Sequence, residues 1–117
     1  MKNNRGFEGR AVLTFEEWST YLKRMPVRYI KRKHSTVCFF CGEPPVRGNP
    51  LQHAHRIGFN IGIKKYALTP DYLDSDTNIV SAHRTRCNKA VELSEDEVED
   101  QLHAQGINVP MFVQQRI

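Results

Sequence analysis

No stretch of this chain approaches the about 20 apolar residues that a bilayer-spanning helix needs, and nothing at its N-terminus reads as a signal peptide. Three cysteines are too few, and of the wrong parity, for a disulfide framework. The expectation is a cytoplasmic protein with no membrane partner, in a reducing setting where clustered Cys and His read as metal ligands. Internal repeats and low-complexity segments are also missing. At 117 residues the chain is expected to form one domain over 1–117, small enough to gain from a staple.

Acidic side chains are sparse over residues 1–66, which hold 4 Asp and Glu against 13 Lys and Arg; residues 67–117 reverse this with 9 against 4. The net charge of +4 therefore hides a basic half and an acidic half. The densest basic run, RYIKRKH, carries Arg28, Lys31, Arg32 and Lys33 and leads straight to Cys38. A basic patch beside metal ligands is the electrostatic footprint of a phosphate-backbone binder, which makes these four candidate nucleic-acid contacts.

What is present is more specific. Cys38 and Cys41, in CFFCG, set two thiolates on one short knuckle. His83 and Cys87, in AHRTRCN, stand at i and i+4 and are expected to share one face of a helical turn. Together they make a closed Cys3His set, the kind of donor combination that structural zinc takes.

Helix signals open at Thr14, whose spacing from Glu17 fits a capping box, with Phe15, Trp18, Tyr21, Leu22 and Met25 at helical period and Pro26 as the stop. Residues 51–57 read as a strand, with Leu51, His53, His55 and Ile57 on one face and Gln52, Ala54 and Arg56 on the other. Residues 58–77 read as a long connection holding one short helix capped by Thr69 and started by Pro70. A second strand is expected over 78–82 and a helix over about 83–92. A last helix is capped by Ser94 and Glu97 and stopped by Gly106, with a partly apolar tail after it. The fold class is thus α+β, a small zinc-stapled ββα core. It divides into an N-terminal helix and basic arm (1–36), the core (37–93), and a C-terminal helix and tail (94–117).

In this order of motifs the chain resembles the HNH, or ββα-metal, endonuclease family, over about residues 38–92. The resemblance rests on Cys-x2-Cys, a His-containing strand, Asn followed by apolar residues, and a metal pair ending in CN, as in NIVSAHRTRCNKAV. It implies a metal-dependent DNA endonuclease of phage, mobile-element or restriction type, in which a strand His activates water and one divalent ion stabilises the leaving oxygen. Carried over, Asn88 matches the ion ligand on the helix, and Asn78 matches the Asn that ties the loop to the base strand. Cys38, Cys41, His83 and Cys87 match the zinc set, with His83 in place of the more common Cys and one residue further away.

The family's adjacent Asp-His or His-His is here His-Ala-His-Arg, which leaves three registers. In one, His55 is the base and His53 an ion ligand. In another, similar to recombination endonuclease VII, His53 is the base, Gln52 stands at the acidic ligand's place and His55 assists. In the third, His55 is the ligand and Arg56 holds the base position, with Tyr66 or Tyr72 as the substitute base. The first two are preferred, and His55 and Asn88 are expected to converge on one ion. Arg56, Arg84 and Arg86 are candidate phosphate clamps. Without a firm carboxylate ligand the site should favour Mn2+, Ni2+, Co2+ or Zn2+ over Mg2+. DNA is the implied partner, with a homodimer left open. Two other readings remain: a non-catalytic zinc-binding nucleic-acid module on a degenerate HNH scaffold, and an interaction subunit docking through residues 107–117.

Overall fold

The computed structural model describes residues 9–27, 30 and 33–114. Arg28, Lys31 and Arg32, among the candidate nucleic-acid contacts, lie outside the described residues, as do residues 1–8, 29 and 115–117.

Helix α1 spans Phe15–Lys23. Its start is the expected capping box: the Glu17 amide donates to Thr14 Oγ1 (3.2 Å), and the Thr14 amide donates to the Glu17 carboxylate (2.8 Å). Trp18 is buried by this helix, and its indole N–H donates to the Lys64 carbonyl at 3.2 Å. Ahead of the helix, Val12 forms a short antiparallel bridge with Leu68.

Strands β1, Leu51–His55, and β2, Ile79–His83, form a two-stranded antiparallel sheet. The register pairs Leu51 with His83, His53 with Ser81 and His55 with Ile79. Directly opposed residues share a face, so Leu51, His53 and His55 lie with His83, Ser81 and Ile79, while Gln52 and Ala54 lie with Ala82 and Val80. The alternation expected over 51–57 is present over 51–55, where the strand ends, short of Arg56 and Ile57.

The connection holds two helices where the sequence suggested one: α2, Phe59–Tyr66, and α3, Pro70–Leu73. Helix α2 lacks the usual start signal, since its N-cap is Gly58 with no side-chain cap bond, and Gly62 interrupts its middle. That glycine has a packing reason. A Cβ built there would stand 2.5 Å from a methyl of Leu73, so only hydrogen lets α2 lie this close to α3.

Helix α4, Cys87–Ala90, is much shorter than the expected 83–92. His83 belongs to β2, and a turn of Arg84 to Arg86 intervenes, with Arg86 in the left-handed region at φ 77°. His83 and Cys87 therefore do not share a helical face; one ends a strand and the other begins a helix. Helix α5, Glu95–Ala104, has the expected Ser94–Glu97 box, and the tail folds back as α6, Met111–Gln114, with Val113 buried. Phe112 packs its ring 5.0 Å from that of Trp18.

Two apolar clusters result. The larger joins Trp18, Ile57, Ile63, Leu68, Leu73, Val98 and Leu102, under the helices. The smaller joins Cys38, Leu51, Ala54, Ala82 and Val91, where α4 lies on the Gln52/Ala54 face of the hairpin. No helix among the described residues is long and apolar enough to cross a membrane.

Candidate metal centre and hairpin site

The knuckle of residues 38–42 lies along the outer edge of β2, where the Phe39 amide donates to the Ser81 carbonyl at 2.8 Å. Its turn closes through the Gly42 amide on the Cys38 carbonyl, at 2.9 Å, with Gly42 at φ 77°, which glycine adopts without strain. This places Cys38 and Cys41 beside the end of β2 and the start of α4. The thiol sulfurs of Cys38, Cys41 and Cys87 and a ring nitrogen of His83 all lie within 4.8 Å of one another. None of the three cysteines is in a disulfide. A tetrahedral zinc with three sulfurs and one nitrogen keeps its donors roughly 3.3–3.8 Å apart, so this set fits a zinc ion with sub-ångström adjustment.

Hydrogen bonding prepares the set. His83 Nε2 lies 2.9 Å from the Pro44 carbonyl, which only accepts, so Nε2 carries the proton and Nδ1 keeps its lone pair. Nδ1 is the nitrogen that faces Cys41 Sγ, at 3.4 Å, and the Pro44 carbonyl supplies the outer hydrogen bond that orients a metal-bound imidazole. Burial works against a Cys38 thiolate, yet hydrogen bonds from the backbone of Cys41, His83 and Phe40 outweigh it and bring the thiol down to about 6. Burial and the Cys38 and Cys41 sulfurs push Cys87 up to about 11. Three thiolates crowded together without a cation repel, and a divalent ion relieves that repulsion.

Asn78 is the second fixed point. It is buried at 1% exposure, and its Oδ1 accepts from the Ile57 amide at 2.8 Å. Its Nδ2 donates to the carbonyls of Ile57 (3.1 Å) and Leu73 (2.8 Å). It therefore ties the loop before β2 to the residue two beyond the end of β1.

The histidines divide differently from expectation. His55 Nε2 lies 2.7 Å from Asp74 Oδ1, and its ring packs on Phe59, with centroids 5.7 Å apart. His53 stacks on His34, with centroids 4.3 Å and planes 29° apart. Both point away from the α4 face. Asn88 Nδ2 instead meets Gln52 Oε1, at 3.4 Å. His55 and Asn88 thus do not converge on one ion. Gln52 and His55 are three residues apart, roughly 10 Å along a strand, and on opposite faces. The even-numbered residue faces α4, which moves the meeting point from His55 to Gln52.

Arg56, just past the strand, places its guanidinium carbon 5.0 Å from the ring centroid of Phe39. Arg84 and Arg86 are exposed in the turn before α4, and Arg84 donates to the Gly48 carbonyl at 3.0 Å. Lys33 is exposed ahead of the knuckle. Asp74 and His34 escaped the motif reading, because neither has a fixed spacing to the strand histidines. Only the fold of the connection brings Asp74 back to His55.

Comparison with models of protein families, with curated proteins and with solved structures finds no match to this chain.

Proposed function

We propose that this chain is a metal-dependent endonuclease of the HNH type, hydrolysing DNA phosphodiesters with His53 as general base. The observation that carries the reading is the approach of Asn88, on α4, to Gln52, on β1, at 3.4 Å, with His53 the next residue along the strand. This is the register in which Gln52 stands at the acidic ligand's place. A divalent ion held by the carboxamide oxygens of Gln52 and Asn88 would supply charge stabilisation at the leaving oxygen.

His53 and Gln52 point to opposite faces, so both reach one phosphate only from the strand's rim. Strand β1 has β2 on one side and no strand on the other among the described residues. A nucleic-acid backbone lying along that rim meets side chains from both faces. His53 then takes the proton from the attacking water, a task suited to a group that titrates near neutrality. The Asn78 tie holds the end of β1 against β2 and keeps this row in register.

The test is nicking of supercoiled DNA by zinc-loaded protein with Mn2+, Ni2+, Co2+ or Mg2+ added in turn. His53→Ala should lower the rate by about 10^2 or more, the usual contribution of a general base, with zinc content and circular dichroism unchanged. Wild-type protein that cuts under none of these ions refutes the enzyme reading.

One observation favours a second reading, a zinc-stapled nucleic-acid-binding module without catalysis. Gln52 is neutral, and two carboxamides hold a divalent ion far more weakly than a carboxylate-containing set. Gln52→Asp separates the two. Activity that rises, with Mg2+ gaining relative to Mn2+, supports the enzyme. Binding without cleavage, even in Gln52→Asp, selects the module.

A further inference from the structure

The zinc knuckle carries two aromatic rings that the fold leaves uncovered. Phe39 is 56% exposed and Phe40 58%, although Cys38 next to them is buried. Leaving two phenylalanines in water forgoes the burial that normally stabilises them, so their placement calls for a use. They are also held rigidly. Cys38 and Cys41 flank them in the metal set, and the Phe39 amide is tied to β2.

We infer that Phe39 and Phe40 form a stacking surface for unpaired nucleobases, so that the nucleic acid this chain takes is single-stranded or locally opened. This rests on the nucleic-acid reading above, whether catalytic or not. Three observations favour bases over an apolar protein partner. The Arg56 guanidinium lies over Phe39, 5.0 Å from its centroid, in the arrangement that suits stacking with a base and pairing with a phosphate together. The Nε–H of Arg56 is shielded from solvent and has no acceptor among the described residues, and an acceptor brought by a ligand would satisfy it. The surroundings are cationic: Lys33, Arg47, Arg84 and Arg86 are all exposed, and Glu43 is the single acidic residue between Trp18 and Pro70.

Base–aromatic stacking tolerates any sequence, because every base has a π-face, but it needs the base free of its duplex neighbours. Duplex DNA offers the knuckle only its backbone, and that contact should be weak and salt-sensitive. Selectivity for opened DNA therefore comes from two exposed rings and not from hydrogen-bond readout.

The experiment uses zinc-loaded full-length chain, with no second divalent ion so that nothing is cut. Three forms of one oligonucleotide carry 2-aminopurine at the same position: single strand, duplex with a central bubble, and full duplex. Wild-type protein should bind the first two at least 10-fold more tightly than the duplex and quench the 2-aminopurine on binding. Phe39→Leu/Phe40→Leu should lose about 10-fold per ring on the opened forms and leave duplex affinity unchanged, while Phe39→Trp/Phe40→Trp should restore it. Zinc stoichiometry checks that each variant is folded. Wild-type preference for duplex, or quenching that survives the leucine variant, overturns the inference while leaving the nucleic-acid reading intact. A leucine variant that instead loses self-association on light scattering, with base quenching unaltered, also overturns it. Failure to bind any of the three forms removes the nucleic-acid reading, and this inference with it.

Discussion

Replacing Asn78 by alanine should come close to unfolding this protein even with zinc bound. The side chain satisfies three backbone groups: the amide and carbonyl of Ile57 and the carbonyl of Leu73. Ile57 and Leu73 are both at 0% exposure, so water reaches those groups only by entering the space that the carboxamide leaves. A buried polar group left without a partner costs about 1–3 kcal/mol. Three of them, with some relief from water entering the space left behind, put the loss at roughly 3–6 kcal/mol. That is comparable to the whole stability of a domain this size, roughly 5–15 kcal/mol. Asn78→Asp makes a sharper version of the test. It keeps the acceptor for the Ile57 amide but turns a second oxygen toward two carbonyls, which disfavours the ionised carboxylate and raises its folded pKa above the ordinary value of about 3.9. Such a group costs least when protonated, so the variant should be most stable at acid pH and lose stability as pH rises through that window. Denaturant unfolding of zinc-loaded wild type and both variants in parallel at pH 6 and pH 8, where the thiolate ligands retain the metal, followed by circular dichroism, measures both effects. Asn78→Ala within about 1 kcal/mol of wild type would refute the claim that this residue carries the junction between the strands.

Removing zinc with a strong chelator should abolish cooperative thermal unfolding, because a structural Cys/His site contributes on the order of 10 kcal/mol; an unchanged melting curve after verified metal loss counts against the clamp. Gly62→Ala gains about 1 kcal/mol of helix propensity but drives its Cβ to 2.5 and 2.9 Å from the methyls of Leu73, an overpacking cost of about 1–3 kcal/mol. A lowered melting temperature is expected, and a raised one would show that α2 and α3 are free to separate. Tyr66 is buried at 3% exposure, and burial together with the neighbouring Glu99 carboxylate raises its hydroxyl above the ordinary range; Tyr66→Phe should change stability by no more than about 1 kcal/mol, and a larger loss would show that the contact with Glu99 holds α2 to α5. The Arg10 guanidinium, with help from Thr14, holds the Glu17 carboxyl below its usual range. Its contribution is therefore complete above the ordinary carboxylate pKa and fades as pH falls through the lowered one, a slope that Glu17→Gln should flatten.

Much of this arrangement was legible from residue types whose chemistry is local. Capping boxes at Thr14 and Ser94 need only a residue three positions on, and both form. The donor types and pairings of the four metal-set residues point to a cluster, and they do cluster, although His83 ends a strand and Cys87 begins a helix. What failed depended on contacts between distant segments. Helix α2 reads poorly because Gly62 lowers its intrinsic propensity, and the reason for that glycine is Leu73, on another helix. The end of β2 at His83 is set by a turn with Arg86 at positive φ, a conformation that arginine's own preferences argue against. The partnership of His55 with Asp74 joins residues 19 apart through two helices, and no local pattern reports it.

The two faces of the hairpin explain why the choice of register matters more here than the number of histidines. The Cys3His set, which could hold a metal ion such as zinc, brings the start of α4 to one face through Cys87, and Val91 packs that helix on Ala54 and Ala82. Past Leu51, which joins the small cluster at the start of the strand, parity assigns β1: Gln52 and Ala54 are on the α4 face, and His53 and His55 meet His34, Ser81 and the α2–α3 side. No side-chain rotation moves His55 across the sheet, so it cannot share an ion with Asn88 unless the strand slips by one residue. Asn78 opposes that slip, because the Ile57 amide and carbonyl are both committed to it. On the nuclease reading proposed above, the position that decides between hydrolysis and simple binding is therefore Gln52, the residue facing Asn88, because a neutral carboxamide there would hold a hard cation far more weakly than a carboxylate.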